Sequence, residues 1–495
     1  MEHGMKRRHA GCCGTNRRAF LADTGLGFTG LALAAMLRQD GYAATTAPGE
    51  WKLPDGKPHF APKAKNVIWL FMVGGVSQME SFDPKPALDK YAGKTIAETP
   101  YKSVYDSPHY KKNLRELVPG LHKTHPTIYP LQKGFRKWGQ SGIEVSDWWP
   151  NVAKNIDDIA VIRSMWTTDN NHGAQHQFHT GRHILEGDNF PSIGSWIHYG
   201  LGSLNENLPR FVVLGEPDSC CLTWSNKASY LGPEHAGVHL VSDPKNPLPF
   251  ATPRAEMYRE EQAGEFQLLN DLNRFSSVEY PDDPALTARI KSYELAFRMQ
   301  TAVPDVMSFA QESEATKKLY GLDQDITRPF GEVCLTARRM VEKGVRFVGV
   351  FHGGAGAGLW DAHSSLKKSY DDLCLKVDRP IGALLEDLKQ RGMLEETLVV
   401  WATEFGRTAG AQGADGRDHH PYGFSVWMAG GGLKGGVVNG ATDELGFHAV
   451  EDRHYVTDIH ATVMHQLGLD PRRLEVPGRK RLDIDYGNVI KGILR

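Results

Sequence analysis

Cysteine is scarce, with six in 495 residues. Cys12 and Cys13 stand near the start, and Cys220, Cys221, Cys334 and Cys374 are scattered behind them. None are spaced as CxxC, and the adjacent Cys220 and Cys221 would strain a mutual bridge. A disulfide scaffold and a cysteine zinc site are therefore excluded. Excess positive charge is missing too. Lys and Arg number 57 against 59 Asp and Glu, a net charge of -2, so no global basic field suits a nucleic-acid partner. Beyond residue 37 no apolar run reaches the roughly 20 residues of a membrane-crossing helix. Hydrophobic residues at 40% and charged residues at 23% exclude a disordered or fibrous chain. What is abundant is glycine, 52 in all, often grouped between apolar runs as tight turns at strand ends require.

The first 44 residues read as an export signal. Lys6, Arg7 and Arg8 precede Asn16-Arg17-Arg18-Ala19-Phe20-Leu21, which resembles the twin-arginine pattern. The stretch Leu21 to Leu37 is apolar but broken by glycines and Asp23, poor for a permanent span. The leader implies the twin-arginine export machinery as a partner and a periplasmic or extracellular destination. Residues 45–64, rich in Pro, Gly and Lys, read as a linker.

From 65 to 495 the pattern is that of one large α/β domain. Asn66 to Val73 is a continuous apolar run ending in Gly74-Gly75, the signature of a strand buried on both faces. Ile159–Ile162, Phe211–Leu214, Val345–Phe351, Thr397–Ala402 and Phe424–Ala429 repeat it. Helical periods lie between, over Phe330–Lys343 and Leu366–Arg391, each followed by glycine. The succession predicts a doubly wound, mostly parallel sheet with helices on both faces. Loop-rich insertions are expected at about 85–146 and 215–330.

In such sheets ligands bind beyond the carboxyl ends of strands. There the sequence places Glu80 and Asp83, then Asn171-His172, then Asp361 and His363. Glu404 and Arg407 follow, then His419-His420. Carboxylate with imidazole is the ligand set of catalytic zinc, manganese or iron. Arg182 and Arg407 suit an anionic substrate. His176, His179 and His183 are spaced to line one helix face.

These segments resemble the exported bacterial family labelled domain of unknown function 1501, of the alkaline-phosphatase-like superfamily. The likeness runs from the leader and Gly74-Gly75 to Pro86. It continues through Pro191 to Trp196, Ala337-Arg338-Arg339, Glu404 to Thr408 and Gly416 to His419, and ends at Asp458 to Thr462. It implies an alkaline-phosphatase-like fold, usually with two metals and a nucleophile at a helix N-terminus. Sulfatases carry Cys or Ser nine residues before Thr-Gly-Arg. Counting back from Thr180-Gly181-Arg182 gives Asn171, which leaves His172 as the nearest nucleophilic candidate. Thr403-Glu404-Phe405-Gly406 matches the superfamily's Thr-Asp-His-Gly, with Phe405 unable to ligate. The other position would use Asp361, His363 and His419 or His420, and Glu80 or Asp83 would supply the acid after the first strand.

The expectation is an exported hydrolase of phosphate or sulfate esters. It would use one or two divalent ions (zinc, manganese, iron or calcium), with metal-activated water attacking an anionic small-molecule or polysaccharide ester. Two alternatives are a decayed enzyme that binds anionic glycans through Trp148, Trp149, Trp166, Trp224 and Trp360, and a metal-dependent phosphomutase or transferase.

Overall fold

The computed structural model describes residues 54–187, 189–217, 220, 225–241, 258–279, 284–479 and 481–495. The export leader, residues 45–53 of the linker, Cys221 and Trp224 lie outside them. The strands are β1 (Asn66–Met72), β2 (Phe135–Trp138), β3 (Ile143–Ser146), β4 (Ile159–Trp166), β5 (Phe211–Gly215), β6 (Val238–His239), β7 (Phe347–His352), β8 (Thr397–Ala402), β9 (Gly406–Gln412), β10 (Gly416–His420), β11 (Phe424–Gly430), β12 (Val437–Asn439), β13 (Ala441–Thr442), β14 (Ala449–Glu451) and β15 (His454–Tyr455). The main helices are α1 (Gly173–Thr180), α2 (Ile193–Leu201), α3 (Arg259–Glu279), α4 (Pro284–Met307), α5 (Arg328–Glu342), α6 (Leu366–Gln390) and α7 (Val456–Gln466).

Nine strands form one sheet, ordered β12-β4-β11-β8-β1-β7-β5-β6, with β15 also paired to β4. Every pairing is parallel except those of β11 with β4 and β8. The apolar run of β1 explains its central place. Ile68, Leu70 and Met72 enter one core, while Val67, Trp69 and Phe71 enter the other, as a two-residue period demands. Residues of α5 and α6 close the first core and residues of α1, α2 and α7 the second. Trp148, Trp149 and Trp360 are buried in the first core and so cannot serve as sugar platforms.

This topology decides where chemistry can collect. Phe71 of β1 pairs with Phe351 of β7 and with Ala402 of β8, so these three strands end level. β11 runs the opposite way, so the residues that enter it lie at that same end. β4 is antiparallel to β11 and delivers its own exit there. The loops after β1, β4, β7 and β8 and the β9–β10 hairpin thus share one edge.

Between residues 85 and 146 lie short helical turns and the β2–β3 hairpin, and α3 and α4 lie between residues 215 and 330. Among the described residues no helix is long and apolar enough to cross a membrane.

Candidate metal centre

Asp361 is the hub. The chain leaves β7 and returns so that the Trp360 N–H donates to the Val73 carbonyl at 3.1 Å. Gly74, with φ +124°, passes so close that a Cβ would lie 2.6 Å from the Asp361 nitrogen. Arg407 locks the contact. Its Nε donates to the Gly75 carbonyl at 2.7 Å and its Nη1 to the Arg417 carbonyl at 3.2 Å. Its Nη2 bonds the Gly74 carbonyl and donates to Asp361 Oδ1 at 2.7 Å. Arg407 is fully buried. With its donors spent on these groups, it positions Asp361 and does not reach a substrate anion, contrary to the sequence expectation.

Two histidines face the same oxygen. His419 Nε2 is 2.9 Å from Asp361 Oδ1, and so is His363 Nε2. His419 Nδ1 is 2.8 Å from the Asn170 carbonyl, which can only accept, so that nitrogen carries the proton. Burial drives the His419 pKa well below its ordinary value, with the charges of Arg407, His172 and His122 adding to the effect and the Asp361 bond insufficient to reverse it. The ring is neutral, and its Nε2 lone pair meets a carboxylate oxygen. His363 sets its Nδ1 on Gln412 Oε1. Acceptors facing acceptors call for a cation between them. The donor set, imidazole and carboxylate with a carbonyl setting the tautomer, is that of a transition-metal site.

His172 closes the group from the first residue before α1. Its Nε2 is 3.2 Å from Asp361 Oδ2 and its Nδ1 is 3.1 Å from Glu404 Oε1. Burial opposes charge on His172, but the bonds and charges of Asp361 and Glu404 outweigh it and raise its pKa to about 9. Without an ion His172 is an imidazolium clamped between two carboxylates, not a free nucleophile. Glu404 is fully buried and also accepts from the Gly74 N–H at 2.9 Å and from Gln175 Nε2 at 2.8 Å. Phe405 fills the remaining space, its ring 4.4 Å from that of His419. Asp361, His172 and His419 have their ligand atoms close enough to share one ion.

Asp418 gathers a second set. The β9–β10 register shifts between Arg417 and His419, and this bulge turns Asp418 toward the 85–146 insertion. Its Oδ1 is 2.7 Å from His122 Nδ1, and its Oδ2 is 2.9 Å from His125 Nε2 and 3.0 Å from the Lys123 nitrogen. The His122 ring stacks on His419 at 3.9 Å. His122, Asp418 and His419 form the other group with metal-ligand spacing. His122 and His419 line a cleft of about 580 Å³ together with Tyr110, Lys111, Lys123 and Tyr422.

Several residues picked from the sequence go elsewhere. Glu80 is buried against Arg417 at 2.8 Å and Asp83 against Lys85 at 3.0 Å, each neutralising a cation. His420 directs Nε2 to the Phe447 carbonyl at 2.5 Å and packs on that ring. Of the two alternatives, His419 faces Asp361. Arg182 pairs with Glu186 at 2.8 Å and Asp485 at 2.6 Å. Asn171 uses Oδ1 to accept the His172 N–H. The expected histidine face fails because Gly181, at φ 78°, ends α1 before His183. Asp418, His122, His125 and Gln175 were missed. The one signal was the His122-Lys123-Thr124-His125 spacing, in a segment that otherwise reads as polar loop.

Among solved structures, a sulfatase from Pseudoalteromonas sp., PsFucS1, is similar at 12% identity over 86% of this chain and 70% of that one, with a TM-score of 0.37. The phosphonate monoester hydrolase SpPMH from Silicibacter pomeroyi is similar at 13% identity over 69% and 71%, with a TM-score of 0.33. The C-terminal periplasmic domain of EcEptC from Escherichia coli is similar at 9% identity over 87% and 92%, also at 0.33. No curated protein matches the chain. Residues 64–494 match the family model described as "Protein of unknown function (DUF1501)", and the chain belongs to that family.

Proposed function

We propose that the protein is a divalent-metal-dependent hydrolase of phosphate or sulfate esters, exported behind its twin-arginine leader. Its frame is a doubly wound sheet of the alkaline-phosphatase-like kind. The observation that carries this reading is the His419 Nε2 lone pair aimed at Asp361 Oδ1 from 2.9 Å, in a group with His172 whose ligand atoms are close enough to share one ion. Asp361 and His419 would hold the ion, with His172 or His363 beside them. A bound divalent cation supplies Lewis acidity, which eases proton loss from water and stabilises charge on an ester oxygen.

The remaining work falls to the chain. Arg407 holds the Asp361 carboxylate in place. The Asn170 carbonyl selects the His419 tautomer. Glu404 and Gln175 fix His172, which leaves water as the attacking group. The cleft over His419 admits the ester.

Elemental analysis of the leaderless protein, alongside turnover of 4-nitrophenyl phosphate and 4-nitrophenyl sulfate, tests the reading. Zinc, manganese, iron or calcium should accompany the wild type and be lost in Asp361→Asn and His419→Ala. Turnover in each variant should fall on the order of 1,000-fold, about 4 kcal/mol of barrier. Metal-free wild type, or full activity in either variant, would sink it.

A further inference from the structure

We propose that Lys111 and Lys123 are the anion-holding residues of the cleft, and that the substrate is an ester whose alcohol part carries a further anionic group. This rests on the hydrolase reading. The arginines nearest the centre are committed elsewhere. Arg407 is spent on backbone carbonyls and Asp361. Arg417 is spent on Glu80 and on the Thr408 and Ala409 carbonyls. Arg182 is held by Glu186 and Asp485. The cations left on the cleft wall are Lys111 and Lys123.

Both are placed by the structure around them. Asp418 grips the Lys123 backbone nitrogen and the histidines on either side of it. The turn that carries this ammonium is therefore fixed to the same hairpin as His419. Lys111 extends its Nζ over the Tyr110 ring at 5.3 Å, on another wall. Lys111 and His125 hold positive φ, 57° and 45°, a conformation L residues keep only where surroundings impose it. Among the described residues neither ammonium has a carboxylate at ion-pair distance. The cleft's own Glu116 is occupied by Asn170 Nδ2 and the Gly120 N–H. Two unneutralised cations facing about 580 Å³ ask for more negative charge than the one ester group at the ion.

Calorimetry with inorganic sulfate and sucrose octasulfate as probes tests this. The wild type should bind the octasulfate at least about tenfold tighter than sulfate, with the advantage shrinking as salt rises. The double variant Lys111→Gln/Lys123→Gln should lose that advantage and keep its metal content. A control pair farther along α6, Lys376→Gln/Lys389→Gln, each paired with an aspartate, should change nothing. Unaltered octasulfate binding in the first variant, or equal loss in the control, would overturn the proposal. A metal-free, inactive wild type that still loses octasulfate binding in the first variant would end the hydrolase reading but keep the anion site. Metal and turnover with no effect of the lysines would do the reverse.

Discussion

At the scale of single residues, the partner a buried side chain meets separates ligands from framework better than burial or residue type does. Glu80 and Glu404 are both fully buried carboxylates at the sheet edge. Glu80 meets a guanidinium and Glu404 a histidine and a glycine N–H. The sequence offers both as acids after strands and carries no sign of which cation each will meet. That depends on side chains hundreds of residues away, such as Arg417. The difference is testable. Glu80→Gln should leave metal content unchanged yet cost about 3–5 kcal/mol in denaturant unfolding, because it strands the Arg417 charge. Metal loss in that variant would return Glu80 to the ligand set. Arg407→Lys should lower metal affinity by about 10–100-fold, since one ammonium cannot replace a fork spread over Asp361 and the Gly74, Gly75 and Arg417 carbonyls. Equilibrium dialysis against buffered zinc measures it.

At the scale of elements, the strands were legible because apolar runs buried on both faces have no polar alternation to confuse them. Asn66–Met72 and Thr397–Ala402 lie where those runs predicted. The antiparallel course of β11 was not legible, because direction leaves no mark on composition. Yet that direction brings His419 to the carboxyl edge. The β9–β10 hairpin was hidden as well. Gly416 to His420 reads as a polar cluster, and its burial depends on the 85–146 insertion covering it. The β1 exit is the element most tightly coupled to the centre. Gly74→Ala would set a methyl against the Trp360–Asp361 backbone, at 2.6–2.9 Å, in a φ that alanine resists. The expected outcome is a drop of about 2–4 kcal/mol in stability together with weakened metal binding. A stable Gly74→Ala protein with full metal content would show that Asp361 is held without the close approach of Gly74.

At the scale of the whole molecule, the interior stores neutral imidazoles, and this sets its pH response. Burial lowers His179, His352 and His420 to about 3 and His460 to about 4. Each unfolded histidine titrates near 6.5, so below that pH the unfolded chain binds protons that the native chain refuses. Stability from these groups is full above about pH 6.5 and is lost as pH falls toward their folded values. Two buried carboxyls act oppositely. Asp169 is raised to about 7 and Asp378 to about 6, so between the unfolded value near 4 and these values the native chain holds the extra proton. With His198 and His419 lowered in the same way, these imidazoles outnumber the two carboxyls, so the unfolded state binds more protons and stability falls as pH drops below 6.5. His172 bends the other side of the curve. Its pKa, raised to about 9, gives stability that is present below 6.5 and fades as pH rises to 9. The chelated protein should therefore melt highest close to pH 7, falling steeply toward pH 5 and gently toward pH 9. Differential scanning calorimetry across that range checks the shape. In His172→Gln the alkaline slope should vanish while the acid slope remains. An alkaline slope that survives the substitution would mean that His172 is not held as an imidazolium between Asp361 and Glu404.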